Sequence, residues 1–289
     1  MAEARAVIPP EQEKAPETQA APTAYQRWNV QHRLQHGLLA LSTGGLIFTG
    51  LAIKFHYTGW AQQAFRLFGG FHHNLIAHKV CATGLATSAV WHVIYLLIGW
   101  RRMGLSLEIV PTPKDFRDAF HHALYLLNLR KEPPQYGRYT YLEKFEYFAI
   151  VWGLVVMGGT GVALWFPTIA GQYLPRVWLD GFRIVHGNEA LVAAIALLYG
   201  HFFSVHLNPA VFPSSPVWYS GKISLAHMME EHPLEYQKLV ERGVLPAVPE
   251  EGHNHGLRGW RRALAGVELV IYSALFYYLL VTFIPKLLA

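Results

Sequence analysis

Long apolar stretches that carry histidine at repeating depths constrain this chain more than any other feature. Five stretches approach the ~20 residues that a membrane-spanning helix requires: roughly 34–55, 74–100, 145–166, 184–206 and 263–284. Only 15% of the 289 residues are charged and 52% are hydrophobic, whereas a soluble domain carries about 25% charge. The expected fold class is therefore an all-α integral membrane protein, a four-helix bundle followed by a fifth, C-terminal transmembrane helix.

The histidines sit at two levels in this bundle. His36, His78, His92, His186 and His201 all lie within apolar stretches. Histidine is costly inside a membrane, and where it occurs it faces the bundle interior and serves a function. His78 and His92 are 14 residues apart, His186 and His201 are 15 apart. At a rise of ~1.5 Å per residue, each spacing separates the imidazoles by about 21–23 Å, enough to put one near each face of a hydrocarbon core about 30 Å thick. Ligands so separated cannot converge on one zinc ion, which needs each within about 2.0–2.1 Å. Bis-imidazole haem needs only one histidine from each of two helices, so the spans are expected to hold haem. One such residue alone would read as a packing histidine bonded to a carbonyl or water; five at two matched depths point to ligation.

Composition narrows the cofactor further. Cys81 is the only cysteine, which excludes an internal disulfide, a cysteine-held iron–sulfur cluster and a zinc knuckle. No Cys-x-x-Cys-His occurs, so the haem is expected to be b-type, held by axial ligands and packing. The formal charge of +5 reads as a bias of Lys and Arg to one side of a membrane rather than as nucleic-acid affinity.

Residues 1–24, rich in Ala, Pro and Glu, are expected to form a disordered tail, residues 25–206 the four-helix dihaem core, 207–262 a cytoplasmic segment and 263–289 the last transmembrane helix. Residues 1–33, 101–144 and 207–262 fall on one side and hold 18 of the 24 Lys and Arg residues. By the positive-inside rule that side is cytoplasmic, the N-terminus is in and the C-terminus periplasmic. Residues 115–129 have helical apolar periodicity and are expected along the cytoplasmic interface. Residues 224–242, broken at Pro233, are expected to face a partner, and 173–183 to form a short outer interfacial helix.

This orientation assigns depth to each histidine. His78 and His186 are outer and pair with one another. His36, His92, His201 and, slightly beyond, His206 are inner, and spacing alone does not choose among them. A second inner haem would use all four, for example as His36–His201 and His92–His206. Gly44, Gly45, Gly50, Gly84, Gly153, Gly158, Gly159 and Gly161 suit a flat macrocycle between helices, or equally the close helix packing that small residues allow.

Three segments carry a family resemblance: RWNVQHRLQHGLLALSTGGLIFTGLAIKF, GRYTYLEKFEYFAIVWGLVVMGGTGVALWFP and IVHGNEALVAAIALLYGHFFSVHLNPAVFP. They resemble the cytochrome b (gamma) subunit of membrane-bound formate dehydrogenases and respiratory hydrogenases, within the prokaryotic cytochrome b/b6-domain proteins. The similarity runs from about Tyr25 to Glu235 and leaves out the fifth span. It implies two b haems, with His36, His78, His186 and His201 as axial ligands to the haem iron, paired as His36–His201 inside and His78–His186 outside. His92 and His206 are additional to that pattern and keep a three-haem variant open. The resemblance also implies quinone chemistry near the cytoplasmic haem and a docked partner oxidoreductase.

The expected function is a membrane b-type cytochrome that carries electrons between a partner iron–sulfur or multihaem electron-transfer subunit and the quinone pool of the cell inner membrane. Quinone reduction consumes protons and needs a titratable rim, for which His32, Tyr139, Glu143 and Lys144 are candidates; Tyr and Lys also anchor spans at the interface. The competing readings are a non-redox membrane anchor that tethers a soluble enzyme, and a histidine-lined proton channel.

Overall fold

The computed structural model describes residues 23–102, 106–208, 211–212 and 214–246. The expected fifth span, His253 and His255, and nearly all of the N-terminal tail lie outside the described residues. Four helices are long and apolar enough to cross a membrane: α1 (Val30–Lys54), α3 (Phe71–Arg102), α5 (Tyr141–Trp165) and α7 (Arg176–Ala196). The fourth continues through two π-helical turns, Leu197–His201 and Phe203–Leu207, to give a segment of 32 residues.

Local chemistry sets where the helices begin. Asn29 caps α1 by accepting the His32 N–H at 3.0 Å. Thr140 and Glu143 form a reciprocal capping box at the start of α5, with the Glu143 carboxylate on the Thr140 N–H at 2.7 Å and the Thr140 hydroxyl on the Glu143 N–H at 3.2 Å, so two orphan donors are satisfied at once. Short helices join the spans: α2 (Gly59–Phe68) ends at Gly69, whose φ of 81° is open to glycine, and α6 (Pro167–Tyr173) begins at a proline.

Side chains point the spans in alternating directions, because Thr49 and Gln35 of α1 meet His78 and His92 of α3, and Thr160 and Glu146 of α5 meet His186 and His201 of α7. Close backbone packing among the spans joins α1 with α3, α5 with α7 and α1 with α7. The outward faces remain apolar and open, with Leu41 79%, Trp152 63% and Val155 66% exposed. In water such faces would be unstable; against lipid tails they are matched. We call the end at which α1 begins the N-side.

One expectation changes. Residues 173–183 do not make a separate interfacial helix: α6 stops at Tyr173, and from Arg176 the chain is already in the fourth span. Pro175 supplies the break, and no second breaker follows before the apolar run, so the charged first turns simply extend the helix. Residues 224–242 are folded back on the bundle. Strand β1 (Ala24–Gln26) pairs antiparallel with β2 (Lys222–Ser224), Tyr25 opposite Ile223. After α8 (Val217–Ser220) and β2, α9 (Leu225–Glu231) and α10 (Pro233–Glu241) divide at Pro233 as expected. Ile223, Leu225, Met228 and Leu245 form their core.

A polar clamp fixes this unit to the N-side. Glu235, 6% exposed, pairs with Arg138 at 2.8 Å and lies 3.9 Å from Arg27. Arg138 and Arg27 each donate to the other's carbonyl. His232 Nδ1 donates to the Gly137 carbonyl at 2.8 Å. Burial and the nearby Arg27 charge outweigh that bond and hold the His232 imidazole down at about 3. The interfacial helix α4 (Pro113–Leu126) is present, with Phe116 and Phe120 exposed and Asp115 and Asp118 buried. Its polar side therefore meets protein and its apolar side the surroundings.

Candidate functional site

On the far side, His78 of α3 and His186 of α7 face each other with ring centres 6.5 Å apart and planes at 71°. Each ring is held by a threonine on the adjoining helix: Thr49 Oγ1 lies 2.9 Å from His78 Nδ1, and Thr160 Oγ1 lies 2.9 Å from His186 Nδ1. Both hydroxyls already donate to backbone carbonyls one turn back, Thr49 to Gly45 at 2.6 Å and Thr160 to Val156 at 2.7 Å. Their oxygens can only accept from the imidazoles. Each histidine therefore carries its proton on Nδ1 and keeps a bare Nε2 lone pair, the form that ligates metal.

The backbone beside each threonine is cut away for the ring. A Cβ on Gly50 would lie 3.0 Å from His78 Cε1, and one on Gly161 would lie 3.2 Å from His186 Cε1. Gly45 and Gly84 serve neighbouring side chains instead, Cys81 and Ser42. At Gly44, Gly153, Gly158 and Gly159 an added Cβ would meet no protein atom within 4 Å.

On the N-side the structure brings together His36 and His201, with ring centres 6.2 Å apart and planes at 51°. The Glu146 carboxylate accepts from His201 Nδ1 at 2.8 Å, which again leaves Nε2 bare. His36 Nδ1 is buried without a protein partner. Trp28, in edge contact at 5.4 Å, and Trp218 at 6.5 Å flank the ring, so the clamp unit contributes a wall to this site.

Each pair could hold an iron of its own. With a bond of about 2.0 Å to each nitrogen and a further ~1.1 Å from nitrogen to ring centre, two imidazoles sharing one ion would have centres about 6 Å apart. The observed 6.5 and 6.2 Å match, and the orphaned His36 nitrogen and the bare Nε2 positions supply the donors. Among the described residues no group of three or more His, Cys, Asp or Glu converges to hold a bare metal ion.

The other inner histidines are placed differently. His92 Nδ1 lies 2.9 Å from Gln35 Oε1 and its Nε2 lies 3.0 Å from the Tyr147 hydroxyl, so both ring nitrogens are engaged. His206 stacks on Phe202 with ring centres 4.2 Å apart. Of the rim candidates, His32 bonds Asn29 Oδ1 at 3.0 Å and meets the Tyr95 ring edge-on at 5.0 Å. Tyr139 stacks under Arg27 and Arg138, Glu143 is the α5 cap, and Lys144 pairs with buried Asp115 at 2.8 Å. Burial raises the Asp115 carboxyl, but bonds from Lys144 and Thr112 outweigh it and hold the group below the ordinary carboxylate range.

Sequence reasoning overlooked Gln35, Thr49, Tyr147 and Thr160. The signal was available as a Thr-Gly pair in both α1 and α5, but polar residues within apolar runs draw less notice than histidines.

A bundle of four spanning helices with two facing histidine pairs at different depths defines a class of multi-pass membrane protein that carries a cofactor in its interior. The chain belongs to the prokaryotic cytochrome b561 family, whose profile matches residues 27–213. With that family come haem b binding and electron transfer as a membrane b-type cytochrome. No curated protein matches the chain.

Proposed function

We propose that this cytochrome holds two b haems, one between His78 and His186 and one between His36 and His201, and carries electrons between a partner oxidoreductase subunit and the quinone pool. The single observation that supports it is the pair of imidazole separations, 6.5 and 6.2 Å, with Nε2 left bare on His78, His186 and His201 and Nδ1 unpartnered on His36. A bound haem supplies reversible one-electron chemistry at its iron. Thr49, Thr160 and Glu146 fix the tautomer and orientation of three of the four ligands. The Glu146 carboxylate adds electron density to His201, whereas the threonines give their histidines a neutral acceptor, so the two sites differ in potential.

The partner is an iron–sulfur or multihaem electron-transfer subunit. The N-side faces the cytoplasm of an inner membrane, with the N-terminus in and the C-terminus periplasmic, because most Lys and Arg residues fall on that side. The quinone binds at the N-side near His32, at the rim formed with Tyr139, Glu143 and Lys144. The direction of flow follows from the partner's potential relative to the quinone.

A pyridine haemochrome assay of the purified protein should give two haems per chain. His78→Ala and His186→Ala should each abolish one component of the reduced-minus-oxidised spectrum and leave the other. Full haem content in both variants would overturn the far-side pairing, and three haems would return His92 and His206 to ligand positions. Absence of a b-haem alpha band in protein produced with ample haem would favour a bare anchor or a proton channel.

A further inference from the structure

The bundle is built twice. In α1 the order is Gln35, His36, then Thr49, Gly50; in α5 it is Glu146, Tyr147, then Thr160, Gly161. Every counterpart lies 111 residues on (35 and 146, 36 and 147, 49 and 160, 50 and 161). Each set serves the span packed beside it in the same way. Thr49 and Gln35 bond Nδ1 of His78 and His92, and Thr160 and Glu146 bond Nδ1 of His186 and His201, all within 2.8–2.9 Å. The histidine spacing is 14 in α3 and 15 in the fourth span, and the π turn at Leu197–His201 absorbs the extra residue.

Such a repeat has a geometric consequence. His78 and His186 are each other's counterparts, so they meet on the axis that relates the halves. His36 and His201 are not counterparts, so their contact must occur twice. The counterpart of His36 is Tyr147 and that of His201 is His92, and these two do meet: Tyr147 Oη lies 3.0 Å from His92 Nε2, with ring centres 5.8 Å apart. One N-side position thus carries two imidazoles at ligand spacing. Its mate carries a histidine and a tyrosine in a direct hydrogen bond.

The bond pattern at the second position suits proton transfer. Gln35 Oε1 can only accept, so His92 Nδ1 donates to it and Nε2 accepts from the Tyr147 hydroxyl. Protonation of Nε2 needs only that hydroxyl to turn from donor to acceptor. Gln35, 5% exposed, has a further N–H group without a partner. The groups facing His92 are Gln35 and, within electrostatic reach, His32 from α1, and Tyr147 from α5. Arg138 lies within electrostatic reach of His32, and Tyr139 of Tyr147. In the chain, Gln35 precedes the ligand His36, and Tyr147 follows Glu146, the residue that holds His201. A proton at His92 is therefore placed to respond to the charge at the neighbouring pair.

We propose that His92 and Tyr147 are a ligand position converted into a proton station, which takes up one proton from the N-side as one electron reaches the His36–His201 pair. The proton then follows the electron to the quinone, and this last step alone rests on the quinone reading above. Two passages balance the reaction: the quinone gains two electrons, supplied by the iron–sulfur or multihaem donor, and two protons through His92, to give the hydroquinone. Each proton enters His92 from N-side water, and His92 returns to its neutral form when it passes the proton on. Both residues act on the cofactor and substrate through space and position protons; neither is assigned as a ligand.

Potentiometric titration of the haem-replete protein between about pH 5.5 and 8.5, without quinone, tests this. The component lost in His36→Ala should fall with pH by up to about 59 mV per unit, the one-electron equivalent of a tenfold change. His92→Gln and Tyr147→Phe should keep two haems and both spectra while flattening that slope, and the far-side component should not respond. Tyr147→Phe carries the test alone if His92→Gln does not fold. A flat wild-type slope, an unchanged slope in either variant, or loss of a haem in His92→Gln would overturn the proposal. Turnover with a short-chain quinone is measured separately. A pH slope that depends on His92 in a wild-type protein without quinone turnover would sink the quinone reading and leave the proton station standing.

Discussion

Thr49 and Thr160 give their neighbouring histidines something an apolar residue of the same shape cannot, a fixed tautomer. Because each hydroxyl donates to a carbonyl of its own helix, the imidazole beside it must present Nδ1–H and leave Nε2 bare. Thr49→Val and Thr160→Val keep the volume and remove the acceptor. Each should weaken haem retention at the far-side site by about 10–100-fold, the usual cost of losing a residue that orients a metal ligand. Stepwise haem extraction followed by the reduced-minus-oxidised spectrum would read this, and the N-side component should be unaffected. Equal loss of both components would mean that the threonines stabilise the bundle and do not act on the ligands. The same reading explains why Gly50 and Gly161 follow the two threonines: the ring that donates to the hydroxyl needs the space next to it.

At the scale of elements, the fourth span is the one whose form decides a site. A π turn inserts one residue into an α-helix, and the turn at Leu197–His201 lets a spacing of 15 act as a spacing of 14. Deleting Leu198 should convert the turn to regular α-helix with His201 still aligned to His186, or rotate His201 by about 100° if the π geometry persists. The repeat in the two halves favours the first result, in which two haems are retained. Inserting one alanine after Leu191, ahead of the turn, should in contrast make the spacing longer than the turn can absorb. Both π segments would then rotate away from α1 and α5, and the N-side component alone would be lost. Haem stoichiometry of the two variants distinguishes them. The capping box of α5 and the Asp115–Lys144 pair belong to this scale too. Tyr139, Glu143 and Lys144 stand close to the N-side, and the structure gives each of them a partner that holds α5 in place.

For the whole molecule, the clamp between residues 24–27, 136–138 and 222–245 is the feature that joins segments far apart in the chain. His232 sits at its centre, 2% exposed, and its folded value of about 3 lies below the ordinary value of about 6.5 for histidine. The unfolded form therefore binds the proton first, and clamp stability is intact above about pH 6.5 and falls as pH drops toward about 3. Asp115, held below the carboxylate range, loses its contribution only at lower pH. Limited proteolysis of residues 214–246 in detergent should accelerate between about pH 7 and 4.5, and His232→Gln should remove that dependence. Unchanged cleavage in the native protein across this range would refute the assignment. Because Trp218 walls the His36 ring, opening the clamp should also perturb the N-side haem spectrum.

The amino-acid sequence by itself determined the membrane class, the first three spans to within about four residues, the existence of the fourth but not its start at Arg176, and the far-side pair. Apolar length and the energetic cost of buried histidine are properties that a chain carries locally. His78 and His186 were legible because no other histidine shares their depth. Among the N-side histidines, His36, His92, His201 and His206 have the same chemistry and nearly the same depth, and no spacing rule separates them. The family resemblance implied the His36–His201 pairing, but only the tertiary structure brings His36 to face His201 while His92 meets Tyr147, because partner choice depends on helix rotation and on which spans are neighbours. The same holds for the β1–β2 pairing and the buried Arg27–Glu235–Arg138 cluster, whose members are about 100 residues or more apart in the chain and come together only when the bundle has closed.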